Sequence, residues 1–168
     1  QRIEASPAHR GVPVALHEMR PETMTEAHRT GEPAELVCSN SLKSLSSESA
    51  PGLLKAEMEK MGSLVLEVAA QTRVPAGEAL GVDREAFSRE IGARLRACPN
   101  IIWCAGEVRA PDPSELSLIA TGPLTSPALS RWLQERTGGD DLYFYDAIAP
   151  IVEASSIDMG QAFLANRY

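Results

Sequence analysis

The sequence predicts an α/β protein with a mostly parallel sheet, and three observations carry that expectation. Short apolar runs that read as strands alternate with longer stretches of helical period, the pattern of a sheet covered by helices. The chain has 168 residues, 43% of them apolar and 23% charged, enough for one soluble domain with a sizeable core. An early strand-like run, V-A-L-H-E (14–18), ends in a carboxylate, Glu18.

Taken in order, residues 1–10 read as the tail of a helix capped by Gly11, with Pro7 working against it. Residues 12–17 read as a strand. Residues 21–35 are polar and hold Pro21 and Pro33, hence a loop, and Ser44 to Ser49 reads as a solvated serine-rich turn. Pro51 suits a first helical turn, Leu53, Leu54, Met58 and Met61 recur near helical period, and Gly62 ends that helix. Leu64, Val65, Val68 and Ala69 mark a second, shorter helix. V-P-A-G-E-A-L-G (74–81) is punctuated by Pro and Gly and reads as a loop. Asp83 is a good N-cap for a helix running to Ala97 with Phe87, Ile91 and Leu95 on one face, and Pro99 with Asn100 stops it. Ile101–Cys104 and Ser117–Ala120 read as strands, the second leading into Thr121-Gly122-Pro123. Ser126 and Pro127 open a helix through Arg136, broken by Gly138-Gly139, and Leu142–Tyr145 is aromatic and strand-like. The expected sheet has 12–17, 101–104 and 117–120 as neighbouring strands, with the 84–97 helix packed on it.

Charge and cysteine usage narrow the function. The net charge is −7, which argues against a nucleic-acid footprint spread over the whole surface. Cys38, Cys98 and Cys104 are odd in number and form no C-x-x-C, so free thiols in a reducing, cytoplasmic setting are expected. His9, His17 and His28 have no useful spacing with the cysteines, and no metal site is expected. No apolar run approaches a membrane span, and the first ten residues lack the features of a signal peptide.

Two places look chemical. Cys38 is followed by Ser39, Asn40 and Ser41, small polar residues suited to a tight turn; a lone thiol there is either a buried structural residue or a reactive one. Glu18 stands at a strand end, where a dinucleotide-binding fold puts the acid that holds a ribose. Such folds carry a G-x-G-x-x-G turn roughly 20 residues earlier. Counting back from Glu18 runs off the front of the chain, so either Glu18 is not that acid or the glycine turn has been lost.

Seven ordered blocks give this pattern a family. H-E-M-R-P (17–21), A-E-L-V-C-S-N-S-L (34–42), G-L-L-K-A-E-M (52–58), V-P-A-G-E-A-L-G-V-D-R (74–84), A-T-G-P-L-T-S-P (120–127), Y-F-Y-D-A-I-A-P-I-V-E (143–153) and S-I-D-M (156–159) together resemble the bacterial folate- and flavin-dependent tRNA (uracil-5-)-methyltransferases, the TrmFO family, relatives of the GidA-type flavoproteins. The resemblance implies a partial Rossmann-like domain for FAD and NAD(P), without its first strand and glycine-rich loop, over residues 1–140, with a following region beginning at 141–168. It implies FAD as cofactor, NAD(P)H and 5,10-methylenetetrahydrofolate as cosubstrates, and a T-loop uridine of tRNA as the methyl acceptor. Uracil C5 is a poor nucleophile; adding a thiolate at C6 turns C5 into an enolate carbon that can attack a methylene group, and reduced flavin supplies the hydride that completes the methyl.

By that resemblance Cys38 is the catalytic thiol, a nucleophile or acid–base partner near the flavin. Glu18 would accept from the adenosine ribose hydroxyls, and Arg20 would face a phosphate or pair with an acid. Ser39, Asn40 and Ser41 would offer donors to flavin or pyrophosphate. Arg84 would be an active-site cation, Val108 would meet adenine through its backbone, and Thr121 with Gly122 would bring backbone close to the cofactor. Plain structural roles stand beside each: a helix-start surface residue for Arg84, strand-end turns for Thr121 and Gly122. Departures from the family are the missing first strand and phosphate loop, a second functional cysteine expected beyond residue 168, Gly81 where Ala is usual, and Glu78 where Gly is usual. The chain therefore resembles an internal fragment that holds flavin weakly by itself. The related wobble-uridine flavoproteins have a Cys-Asn-Pro loop unlike C-S-N-S-L here. A non-catalytic acidic remnant that binds a partner is the reading from another class.

Overall fold

A computed structural model describes residues 11–138 and 154–163. Among these residues the fold is mixed α/β, with two small sheets and helices between and around them. Strands β1 (Val14–Glu18) and β5 (Ile101–Ala105) run parallel, in a register that sets Val14 opposite Ile101 and Glu18 opposite Ala105. Strands β2 (Ser41–Ser44), β4 (Ala79–Val82) and β3 (Arg73–Val74) form an antiparallel sheet with β4 in the middle. Helices α1 (Ala50–Lys60), α2 (Leu64–Gln71), α3 (Arg84–Ala97) and α4 (Pro127–Thr137) complete the regular structure of the described residues apart from single 3₁₀ turns.

The helices begin where local chemistry says they should. Ser49, Ser63, Asp83 and Ser126 are their N-caps, each side chain accepting from a backbone amide of the first turn. Asp83 makes the shortest such bond, 2.9 Å from the Ala86 amide, and its charge also suits the positive end of α3. Gly138 closes α4 in the left-handed conformation (φ 67°), its amide bonded to the Gln134 carbonyl.

One apolar cluster ties these parts together. Val68 and Ala69 of α2, Leu80 and Val82 of β4, and Phe87 and Ile91 of α3 are buried, with Leu36, Leu42, Leu64, Leu66 and Leu95 packed around them. Val68, Val82 and Phe87 are the largest fully buried side chains, each gaining about 1.5–3 kcal/mol from leaving water. The core thus sits under the antiparallel sheet, while α3 also packs on β5 and so joins the two sheets.

Several expectations need correction. Ser117–Ala120 pairs with no strand among the described residues, and Leu116 and Leu118 stand almost fully in solvent. An apolar run becomes a strand only where a neighbouring backbone takes its hydrogen bonds. The stretch 74–81 is not a plain loop: it holds the end of β3, a turn and most of β4, and Ala79–Val82 is buried throughout. Its Pro75 and Gly77 mark only the turn between two very short strands. Ser44 is buried within β2 rather than solvated. Lys55 is half-buried; its ammonium donates to the Ser44 and Pro51 carbonyls at 2.9 and 3.0 Å, tying α1 to β2. The helix tail expected over residues 1–10 and the strand expected over Leu142–Tyr145 lie outside the described residues.

Candidate functional site: a thiol cleft and a buried ion cluster

Cys38 is exposed and lines a shallow cleft of about 630 Å³ with Ser39, Asn40, Val74, Val82, Asp83, Arg84 and Glu85. The cleft lies where β4 ends and α3 begins. Asn40 is stitched to β4 twice: its carbonyl accepts from the Val82 amide at 2.8 Å, and its Nδ2 donates to the Val82 carbonyl at 3.3 Å. That pairing brings Cys38, Ser39, Asn40 and Arg84 together although they are far apart in sequence. The hydroxyls beside the thiol hold the turn. Ser39 Oγ donates to the Ser41 carbonyl and accepts from the Ser41 amide, and Ser41 Oγ accepts from the Lys43 amide at 3.1 Å.

The second place is built around Arg20, only 6% exposed. Its Nε donates to Glu18 Oε1 at 2.9 Å, its Nη2 to Glu18 Oε2 at 2.9 Å, and its amide to Glu18 Oε1 at 3.0 Å. Its Nη1 reaches Glu35 Oε2 at 3.4 Å. The Glu35 side chain, 7% exposed, also accepts from the Arg29 amide (2.9 Å), the Thr30 amide (3.0 Å) and the Thr30 hydroxyl (2.9 Å). Glu18 also borders a second, mostly apolar cavity of about 270 Å³ that includes Leu16, Pro33, Ile91, Leu95 and Trp103. Arg96 lies over the Trp103 ring, 5.1 Å from its centroid.

The charges follow from these contacts. Burial raises the Glu18 pKa, but the hydrogen bonds from the Arg20 side chain and amide, with its charge, outweigh that and hold it below the ordinary 4.5. Glu35 is likewise pushed up by burial and brought below 4.5 by the Arg29 and Thr30 amides, the Thr30 hydroxyl and the His28 charge. His28, whose ring nitrogen lies 2.6 Å from the Thr25 hydroxyl, is lowered from 6.5 by burial and by the Arg20 charge.

A pH dependence follows, with a definite sign. A carboxylate whose folded pKa is depressed binds fewer protons than in the unfolded chain, so stability rises with pH through that window. The contribution of Glu18 and Glu35 is complete above 4.5 and is lost as pH falls through their folded values. His28 acts in the same direction, because the folded state resists its protonation below 6.5. The urea midpoint is therefore expected to be level down to about pH 6.5, to decline gently below it, and to fall steeply under about pH 4.5. A midpoint unchanged down to about pH 3.5 would remove the ion cluster from the stability of the fold.

Val108, Thr121 and Gly122 line neither the thiol cleft nor the cavity beside Glu18. Val108 is half-buried, two residues past Gly106, whose amide donates to the Glu18 carbonyl at 3.0 Å. Thr121 and Gly122 are exposed in a turn closed by the Thr121–Thr125 hydroxyl contact at 2.6 Å and a bond from Thr125 Oγ1 to the Gly122 carbonyl at 2.7 Å. Glu35 is the residue that sequence reasoning passed over. Its one visible signal is an acid inside A-E-L-V-C, where the neighbouring Leu36 faces the core.

No helix among the described residues is long and apolar enough to cross a membrane. No group of three or more His, Cys, Asp or Glu side chains suited to a metal converges among them.

The architecture is therefore that of an α/β protein with a thiol displayed at a strand-to-helix junction. Its sequence matches the model of the glucose inhibited division protein A family over residues 4–168, and the chain belongs to that family. Among curated proteins it is 55% identical over 161 residues to the methylenetetrahydrofolate–tRNA-(uracil-5-)-methyltransferase TrmFO of Aquifex aeolicus, covering 96% of this chain and 36% of that one. It is 56% identical over 161 residues to the enzyme of the same name from Moorella thermoacetica, covering 96% and 37%. The Heliobacterium modesticaldum enzyme is 56% identical over 158 residues, covering 94% and 36%. The chain thus spans little more than a third of the length of these relatives, and the resemblance read from the ordered blocks holds over nearly all of it.

Proposed function

We propose that this chain serves the methylation of uridine C5 in tRNA, with the carbon drawn from methylenetetrahydrofolate. The observation that carries this is identity of 55–56% over 94–96% of the chain to relatives named for that reaction. The cleft supports it chemically: an accessible thiol shares it with the Arg84 guanidinium and the start of α3, and a thiol is the side chain that adds to an electron-poor ring. In this reading Cys38 is the catalytic residue, as nucleophile or acid–base partner, and Arg84 is the cation beside it.

FAD fits the residues at the other place. A carboxylate has about four acceptor sites, and among the described residues Arg20 fills three of those on Glu18, leaving one on Oε2 for a ribose hydroxyl. Glu18 would hold the adenosine end, Val108 and the Thr121-Gly122 turn would lie against cofactor backbone-on, and Ser39, Asn40 and Ser41 would border the flavin side. When bound, the flavin, reduced by NAD(P)H, supplies hydride to the folate-derived carbon. Residues 1–140 would then be part of a Rossmann-like FAD-binding domain in which β1 carries the ribose acid, with a further region beginning at 141. The boundary itself lies outside the described residues. tRNA is the partner, and a cytoplasmic setting suits the free thiols.

The test is transfer of labelled carbon from methylenetetrahydrofolate to tRNA uridine with FAD and NAD(P)H present, followed by nucleoside analysis. Label in 5-methyluridine is the expected result. Label absent from uridine C5, or modification confined to a wobble uridine, would overturn the reading.

A further inference from the structure

We propose that Arg20 is a positioning residue that fixes the Cys38 segment through Glu35. This rests on the reading of Cys38 as the reacting thiol and adds what holds it in place. The segment has an anchor on each side. Downstream, Asn40 is bonded twice to Val82 at the end of β4. Upstream, Glu35 gathers the Arg29 and Thr30 amides, the Thr30 hydroxyl and Arg20 Nη1. Leu36 packs against the core between those anchors, so Cys38 sits at the exposed apex of a short, doubly tethered arc.

Arg20 is what ties the upstream anchor to the sheet. Its guanidinium uses Nε and Nη2 on Glu18, the last residue of β1, and Nη1 on Glu35. Only a planar fork can serve two carboxylates in fixed directions at once; a lysine ammonium is a point charge on a flexible stem. The same contact orients the Glu18 carboxylate so that, among the described residues, one acceptor site on Oε2 is left without a partner. The two places are therefore joined through a single side chain that is itself buried.

The test uses the cysteines of the purified chain as reporters. Iodoacetamide alkylation is followed at Cys38 and at buried Cys98 by peptide mass spectrometry, for the parent, Arg20→Lys, Glu35→Gln and the double variant. No flavin or tRNA enters the assay, so failure of the catalytic reading leaves this result interpretable. The expected outcome is a Cys38 rate changed at least about threefold in each single variant, with Cys98 still protected. The double variant should change no more than the larger single one, because the two residues act along one path. An unchanged Cys38 rate, simple additivity, a parent-like rate in Arg20→Lys, or Cys38 and Cys98 speeding up together would each overturn the proposal; the last would assign the cluster to stability alone.

Discussion

Cys38→Ser is expected to leave the fold intact and to remove most transfer of labelled carbon to tRNA uridine in enzyme that performs it. Serine is close to cysteine in size, and Cys38 is exposed at the rim of its cleft, so no core packing is lost. The chemistry is lost instead. A serine hydroxyl is far less acidic than a thiol and supplies almost no anion near neutral pH. If the thiol acts in proton transfer, the rate should drop at least about 10²-fold, the lower end of what a positioned acid–base group contributes. If it attacks carbon, the drop should be larger. Thermal unfolding should be unchanged. Parent-like transfer in the serine variant would make Cys38 a surface thiol with no part in the reaction.

Phe87→Ala should carry the largest cost in stability. Phe87 is 1% exposed, and it joins α3 to the α2 and β4 side chains of the core. Truncating a buried phenylalanine costs about 3–5 kcal/mol, from the lost transfer energy and the cavity left behind. For a domain of this size that corresponds to roughly 6–20 °C in Tm. Because α3 begins at the cleft and also packs on β5, its loosening should reach both chemical places. Urea unfolding measures the effect. A loss under about 1 kcal/mol would show that the core collapses around the gap or that its weight lies elsewhere.

The helices are legible in the sequence because their signals are local. Ser49, Ser63, Asp83 and Ser126 each satisfy an amide within the next turn, so residue type and spacing suffice. The antiparallel sheet is not legible, because β3 has two residues and β2 and β4 have four each, too few for a period to emerge. Ser117–Ala120 misleads for the opposite reason: its composition suits a strand, but no described strand pairs with it.

The chain by itself determined where the four described helices lie, the α/β class, the family and the two residues, Cys38 and Glu18, around which chemistry is proposed. These depend on short-range capping, composition and ordered motifs, which are written along the sequence. Only the tertiary structure decided that β1 pairs with β5, that Arg84 shares a cleft with Cys38, and that Glu18 is held by Arg20 with Glu35 as a second, half-buried acid. Those facts depend on which distant surfaces exclude water together and on which buried charges must then find partners, and neither condition exists until the chain has folded.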